Sequence, residues 1–296
     1  MALAEPLVEA STPPTPPLTA SVPERQRRAG LARFLPPVAM FVVVIAFWQW
    51  LSSSLSHGRQ FLLPPPLQVV GQGLLAPGAY DQILPALART TEVAAAGLLI
   101  AMVLGVATGT LLYRFGWLER AACPYLVALQ AIPVLAISTL MAVAFGYTFF
   151  AKMVIVVMIA FFPIPTSFLL GLKSVDRGLM DLFALHQAGW VTRFFKLALP
   201  NALPQLFTGF RISAGLAVIG AIVGEQSFQS GAPGLGMLLL QYIDYVEYAR
   251  VYGCLIVSSL LGIVMYSLFT WLSRRLFGSW HESVRHERQA LGRAAR

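Results

Sequence analysis

Residues Asp181 to Pro200, DLFALHQAGWVTRFFKLALP, form a polar, cation-bearing island between strongly apolar stretches, and that placement decides how the whole chain is read. A soluble domain carries roughly 25% charged residues. This chain of 296 residues carries 11%, with 57% hydrophobic and a mean hydropathy of +0.70. Its polar islands are therefore loops between membrane spans, not the surface of a soluble core. The formal net charge of +8 comes without a basic stripe or interleaved aromatics, which excludes a nucleic-acid reading. Cys123 and Cys254 lie in apolar stretches, with no CxxC and no paired-His spacing. They read as small buried hydrophobes, and neither a disulfide framework nor a metal site is indicated.

Working outward from the island, apolar runs lie near Leu35–Leu55, Leu84–Leu112, Cys123–Phe145, Ala151–Leu172, Ala202–Val223 and Val251–Phe277. Each is near the ~20 residues that cross a bilayer. The expected fold class is an all-α membrane protein of about six transmembrane helices. Residues 1–34, rich in Pro, Ser, Thr and Ala, are expected as a disordered tail, followed by a membrane domain at 35–278 and a second tail at 279–296. The first apolar run is long enough to span and follows a late basic cluster, so it reads as a retained helix and not as a cleaved leader. With the N-terminus inside, sixteen Lys and Arg residues fall on the cytoplasmic side and only Arg59, Lys152 and Arg250 on the other. The positive-inside bias therefore places both termini, and the loop at 173–200, in the cytoplasm.

Within that loop, Asp181 is expected at a helix start, where an acid complements the helix dipole, with Leu182, Phe183 and Leu185 forming an apolar stripe. Gly189 then permits a turn. A second short helix follows with Arg193 and Lys196 near its C-terminal end, and Pro200 closes it before the next span. Two segments on the opposite side are more than linkers. Phe61–Leu75 starts extended at three prolines and runs into a short amphipathic stretch, and Gln226–Tyr248 passes through GAPGLG into a short amphipathic helix.

The Asp181 segment resembles the EAA loop of binding-protein-dependent ABC importer permeases, whose pattern is Glu-Ala-Ala, three residues, Gly, nine residues, Ile, one residue, Leu-Pro. Aligned on Leu199-Pro200, Asp181 stands at the Glu, Leu182 and Phe183 at the two Ala, Gln187 at the Gly and Leu197 at the Ile; the glycine is displaced to Gly189. FLLPPP, LPNALPQLFTGFRISAG, the GE before the outer loop, GLG within it and RRLFGSWHES extend the resemblance over about residues 35–285, toward the nitrate, sulfonate, taurine and vitamin-precursor branch. The resemblance implies a type I permease fold in the inner membrane of a prokaryote. Two copies would form a translocation path through the lipid bilayer, each docking one ABC ATPase subunit through the Asp181 loop, with an extracytoplasmic solute-binding protein delivering the cargo. The chain itself has no G-x-x-x-x-G-K-[ST] phosphate loop, so ATP hydrolysis is expected elsewhere and no cofactor is expected here.

No catalytic constellation is legible. His57, His186, His281 and His286 fall in predicted loops or tails. Charges in or at the spans call for a partner or a wet cavity. Arg89 and Glu92, three residues apart, suit a local pair or a role along the path. Arg211 suits the central cavity or a partner subunit, with a structural pairing to Glu225 or to a polar neighbour left open. Ala214, Gly215, Gly220 and Gly224 suit close helix approach at a dimer axis. Pro133, Pro163 and Pro165 free carbonyls at membrane depth, and their kinks either line a cavity or are purely structural. A secondary transporter is the rival reading, but no internal repeat and few buried acids support it. A membrane-embedded enzyme would need clustered His, Asp or Ser-Lys groups, which the sequence lacks. Cargo is expected to be a small organic solute. Within the resemblance, ISAGLAVIGAIVGE and GSWHES lean toward riboflavin or a pyrimidine thiamine precursor, with sulfonate, taurine or nitrate as the alternative. Phe145, Tyr147, Phe149, Phe161 and Phe162 are candidates to stack on a flat ring.

Overall fold

The computed structural model describes residues 25–56, 59–146, 148–227 and 232–294, with side chains between 35 and 276. Twelve helices account for nearly all of the described residues: α1 (Arg25–Ser54), α2 (Pro66–Gln68, continued by a π-helical turn at Val69–Leu74), α3 (Ala79–Arg114), α4 (Gly116–Ala131), α5 (Val134–Phe145), α6 (Phe149–Phe161), α7 (Pro163–Lys173), α8 (Arg177–Leu185), α9 (Trp190–Arg193), α10 (Leu199–Ser227), α11 (Leu235–Asp244) and α12 (Tyr248–Ala294). The chain divides into two units, Met1–Ser54 and Leu55–Arg296. In the first, α1 carries an apolar stretch, Leu35–Ser54, long enough to span. Helix begins at Arg25, inside the segment 1–34 expected as disordered; residues 1–24 lie outside the described residues. At the other end α12 continues to Ala294, so helix runs on through the expected second tail.

In the second unit, close packing around small residues sets the directions of the helices. A Cβ added to Gly97, Gly105 or Gly109 on α3 would strike Val156, Ile164 and Phe168 respectively. These partners advance together along the sequence, so α3 and the α6–α7 rod run parallel, with backbones close enough to gain dispersion contact in a medium that offers no hydrophobic drive. α10 packs on the same rod in the opposite direction, Gly220 meeting Val156 and Gly209 meeting Pro163 and Ile164. The core lies where the three meet, at Val156, Ile164, Phe168, Ala202, Phe210 and Ala217.

Two parallel spans require a return crossing between them, and α4 and α5 supply it. The two are bent by 89° at a break of a few residues, and with that pair counted as one crossing the described residues hold six spans. The stretch Cys123–Phe145, expected as one span with a kink at Pro133, is thus two helices. Pro133 has no N–H to continue the ladder, and Ile132 before it is held extended at ψ 128, where a pre-proline residue is driven. A second proline break, at Phe162–Pro163, leaves α6 and α7 nearly in line as a single span, Phe149–Lys173.

Candidate functional site: an exposed loop and a broken-helix cavity

The loop at 176–198 owes its shape to three local devices. α8 is capped by Asp176, whose Oδ1 accepts from Gly178 N at 2.7 Å and Leu179 N at 3.4 Å. This corrects the expected start: Asp181 lies in the second turn, and the acid that serves the orphan amides is Asp176. At its other end α8 closes in a Schellman turn, Gln187 N donating to Ala184 O at 2.9 Å and Ala188 N to Phe183 O at 3.0 Å. The residue in the left-handed region is Gln187, with φ of 51°. Gly189, expected to make the turn, is extended at φ −65°, ψ 164°. The turn therefore falls on the residue aligned with the motif's glycine, and only the residue type has changed. Third, Pro200 does not close a helix. It sits at the second position of α10, and Trp190–Ser227 is one continuous span. The π-helical turn Phe194–Ala198 makes this possible: Leu199 N donates to Phe194 O, five residues back, a shifted register that absorbs the donor Pro200 lacks.

The loop presents an apolar face and is fastened at its base. Leu185 is 80% exposed and Leu182 47%, one helical turn apart, while Phe183 is half-buried and Asp181 is exposed. At the base, Phe194 is buried in the core, with the Trp190 ring stacked on it at 5.1 Å and Tyr113 of α3 against it at 6.2 Å. The Arg114 guanidinium lies 5.1 Å from the Trp190 ring. Arg193 Nε donates to Ala188 O at 2.8 Å, bracing the turn, and Asn201 Nδ2 donates to Ser174 Oγ at 2.9 Å and to Gly171 O at 3.2 Å. Lys173 pairs with Glu119, tying α7 to α4. Leu197 and Leu199 are half-buried in the helical turns that lead into α10.

Beside the proline breaks lies a half-open cavity of about 430 Å³, lined among others by Leu129 and Gln130 of α4, Ile159 and Phe161 of α6, and Phe162 and Pro163. It unites Pro163 with Phe161 and Phe162, and its wall continues through Val134, the residue after Pro133. Phe145 packs edge-on against Phe150 at 5.6 Å, away from this group; Tyr147 lies outside the described residues. Arg211 and Glu225 do not line the cavity, and the ion pair left open between them is not formed. Arg211 Nη2 donates to Thr208 Oγ1 at 2.9 Å, one turn back on its own helix.

Glu225 belongs to a lock on the loop between α10 and α11. It is 1% exposed. It receives Gly236 N at 2.8 Å, an amide of the first turn of α11, and the Thr90 hydroxyl lies 2.9 Å from each of its oxygens. Thr90 Oγ1 in turn accepts from Leu235 N at 2.9 Å. A buried carboxylate thus caps a helix N-terminus, where both the free amides and the dipole favour it. A Cβ on Gly234 would collide with the Glu225 carboxylate, and one on Gly236 with the Ile222 carbonyl, so both glycines are required for the close approach. Arg89, expected beside Glu92, instead donates to Pro233 O at 3.2 Å. Gly220 and Gly224, expected at a dimer axis, pack on α6 through Val156 and Lys152 of the same chain, Ala214 is buried, and Gly215 faces open space. Thr90, Gln130 and Asp176 escaped the sequence reading. Gln130 carried a usable signal, a single amide in an apolar run three residues before a proline.

Comparison with known proteins bears on this arrangement. Residues 97–278 match the family described as binding-protein-dependent transport system inner membrane component. The formylaminopyrimidine transport permease ThiX of Halalkalibacterium halodurans is 34% identical over 78% of this chain and 90% of its own length. The riboflavin transport system permease RibX of Chloroflexus aurantiacus is 31% identical over 83% and 90%. Among solved structures, a chain of the MetNI methionine ABC transporter in an inward-facing conformation superposes with a TM-score of 0.59 at 20% identity, over 68% of this chain and 98% of that one, a likeness of fold. The chain belongs to the binding-protein-dependent inner membrane component family and is the permease subunit of an ABC importer.

Proposed function

We propose that two copies of this chain form the path through which a planar nitrogen heterocycle of the aminopyrimidine or flavin kind enters the cell, delivered from outside by a binding protein and driven by two ATPase subunits bound at the α8 loops. The chain is the non-catalytic partner: it holds the path, and ATP is hydrolysed elsewhere. Both termini and the loop lie in the cytoplasm, where sixteen of the Lys and Arg residues fall. The observation that carries the docking role is the pairing of an exposed apolar face, Leu182 and Leu185, with a base fastened into the core through Trp190 and Phe194. An apolar helix face of this kind is covered by a partner. Because its base is stacked on the helices of the span, a push on α8 moves α3 and α10 and does not merely bend the loop. The cargo reading rests on the relatives that carry formylaminopyrimidine and riboflavin.

Affinity purification of the tagged chain from its native membrane tests the docking. An ATPase is expected to co-elute with wild type and to be lost with Leu185→Glu and Asp181→Lys; co-elution undiminished in both variants would remove α8 from the interface. ATP-dependent uptake of radiolabelled riboflavin and aminopyrimidine into proteoliposomes holding the whole complex tests the cargo.

A further inference from the structure

We propose that the cavity at the proline breaks is a cargo subsite within each subunit, and that it selects an uncharged planar heterocycle through the N–H groups on the ring's edge. The inference rests on the heterocycle-importer reading above and adds where, and by which atoms, the cargo is held.

The polar groups around this cavity are unusual for membrane depth. Three prolines each lack the N–H that would serve the carbonyl four residues back. Pro133 leaves Leu129, Pro163 leaves Ile159 and Pro165 leaves Phe161 without that donor, and all three of those residues line the cavity. α4 ends there too, so the carbonyls of its last turn, Gln130 among them, have no helical donors either. Such backbone persists in a bilayer only where it is buried in protein or lines a water-filled cavity. Gln130 adds a side-chain amide, the one side-chain amide or charge on the wall, and it has no hydrogen-bond partner among the described residues.

The result is a largely apolar slot with a small polar share, bordered by the carbonyls that the prolines leave without donors. Phe161 and Phe162 supply flat surface for stacking. A volume of about 430 Å³ falls in the ordinary range of small-ligand sites, roughly 300–1,000 Å³. Acceptors call for donors, which the amino group of an aminopyrimidine and the ring N–H of a flavin provide. Since no Lys or Arg lines the slot, nitrate or a sulfonate would enter without a counter-charge and be disfavoured. Gln130 then serves specificity: its amide reads the donor edge, whereas the walls accept any flat apolar face.

The test uses the intact permease–ATPase complex in nanodiscs, without the binding protein, and follows quenching of riboflavin fluorescence, with 4-aminopyrimidine and methanesulfonate as competitors. Riboflavin is expected to bind wild type, to be displaced by the aminopyrimidine and to be untouched by the sulfonate. Gln130→Leu should weaken binding roughly five- to tenfold, the worth of one hydrogen bond, and Gln130→Asn should recover part of it. Val157→Trp, which fills the slot, should abolish binding while the ATPase still co-purifies. Equal affinity in wild type, Gln130→Leu and Val157→Trp overturns the subsite even if the complete importer takes up riboflavin. A complete importer that takes up neither heterocycle overturns the cargo reading, and the subsite with it.

Discussion

Replacing Thr90 by Val tests whether the Glu225 lock holds α11 on the bundle. The substitution keeps the shape of the side chain and deletes one oxygen, so its cost is electrostatic and not steric. Two buried groups lose partners at once. Leu235 N–H loses its 2.9 Å acceptor, and the Glu225 carboxylate keeps only the Gly236 amide. A buried donor stripped of its partner costs about 1–3 kcal/mol, and a buried charge that loses a donor costs at least as much. Water reaching the loosened site returns part of this, leaving about 3 kcal/mol, or roughly a hundredfold rise in the population with α11 detached. Cys254 offers a direct readout, because it is fully buried in the cluster formed by Leu235, Leu238 and Tyr242 of α11 with Ala79 and Ile83 of α3. With the exposed Cys123 changed to Ser, maleimide reaches Cys254 only when α11 lifts, so the labelling rate follows that population. Thr90→Val should label about a hundredfold faster than wild type, whereas Thr90→Ser, which retains the hydroxyl, should stay within a few-fold. A labelling rate in Thr90→Val equal to wild type would show that apolar packing alone holds α11 and that the lock is incidental.

Four further outcomes rest on the same geometry. Gln187→Gly places at φ 51° the residue that tolerates it and should stabilise the loop by about 1 kcal/mol, seen as slower protease nicking between α8 and α9; Val246→Gly, at φ 62° in the turn after α11, should gain more because a β-branched residue suffers most there. Gly105→Val should abolish monodisperse purification, since any Cβ there strikes both Cβ and Cγ2 of Ile164. Arg114→Ala removes the cation stacked on Trp190 at 5.1 Å, worth about 0.5–1 kcal/mol at an exposed site; more ATP should be spent per solute moved while ATPase binding is unchanged, and an unaltered ratio would exclude Arg114 from the coupling route.

The amount of this fold that could be read from the sequence follows the range of the interaction each feature depends on. Span number came from hydropathy, a property of the nearest twenty or so residues; the ends agree within about five positions for four spans, whereas α4 starts seven residues before Cys123 and the fifth span starts at Trp190, twelve before Ala202, because amphipathic turns continue the helix beyond the apolar run. Break positions were legible for the same reason, because Pro133 and Pro163 act on carbonyls four residues away. Break angles were not. Pro133 folds its helix pair through 89° while Pro163 leaves a nearly straight rod, and the difference lies in what each flank packs against: α6–α7 is clamped along its length by the glycines of α3 and α10, whereas α5 is tied to α10 through Ser138 and Ser227, 2.6 Å apart and 89 positions distant in sequence.

The charged residues show the same limit from the other side. A buried carboxylate announces that some partner exists, and Glu225 was legible to that extent. Its partners are a threonine 135 positions earlier and a backbone amide 11 positions later, neither of which differs in sequence from hundreds of unremarked threonines and glycines. The Asp181 loop shows how a pattern outlasts its residues. Its glycine is gone, yet the chain still enters the left-handed region at the aligned position, Gln187, because the Schellman bonds, the Arg193 brace and the stacked Trp190–Phe194 pair outweigh the roughly 1–2 kcal/mol penalty of that conformation. A turn can be over-determined by its surroundings. The glycine in such a motif then reports the economy with which the turn is made and not whether it forms, so a degenerate motif match in the correct register carries more structural information than its identity score suggests.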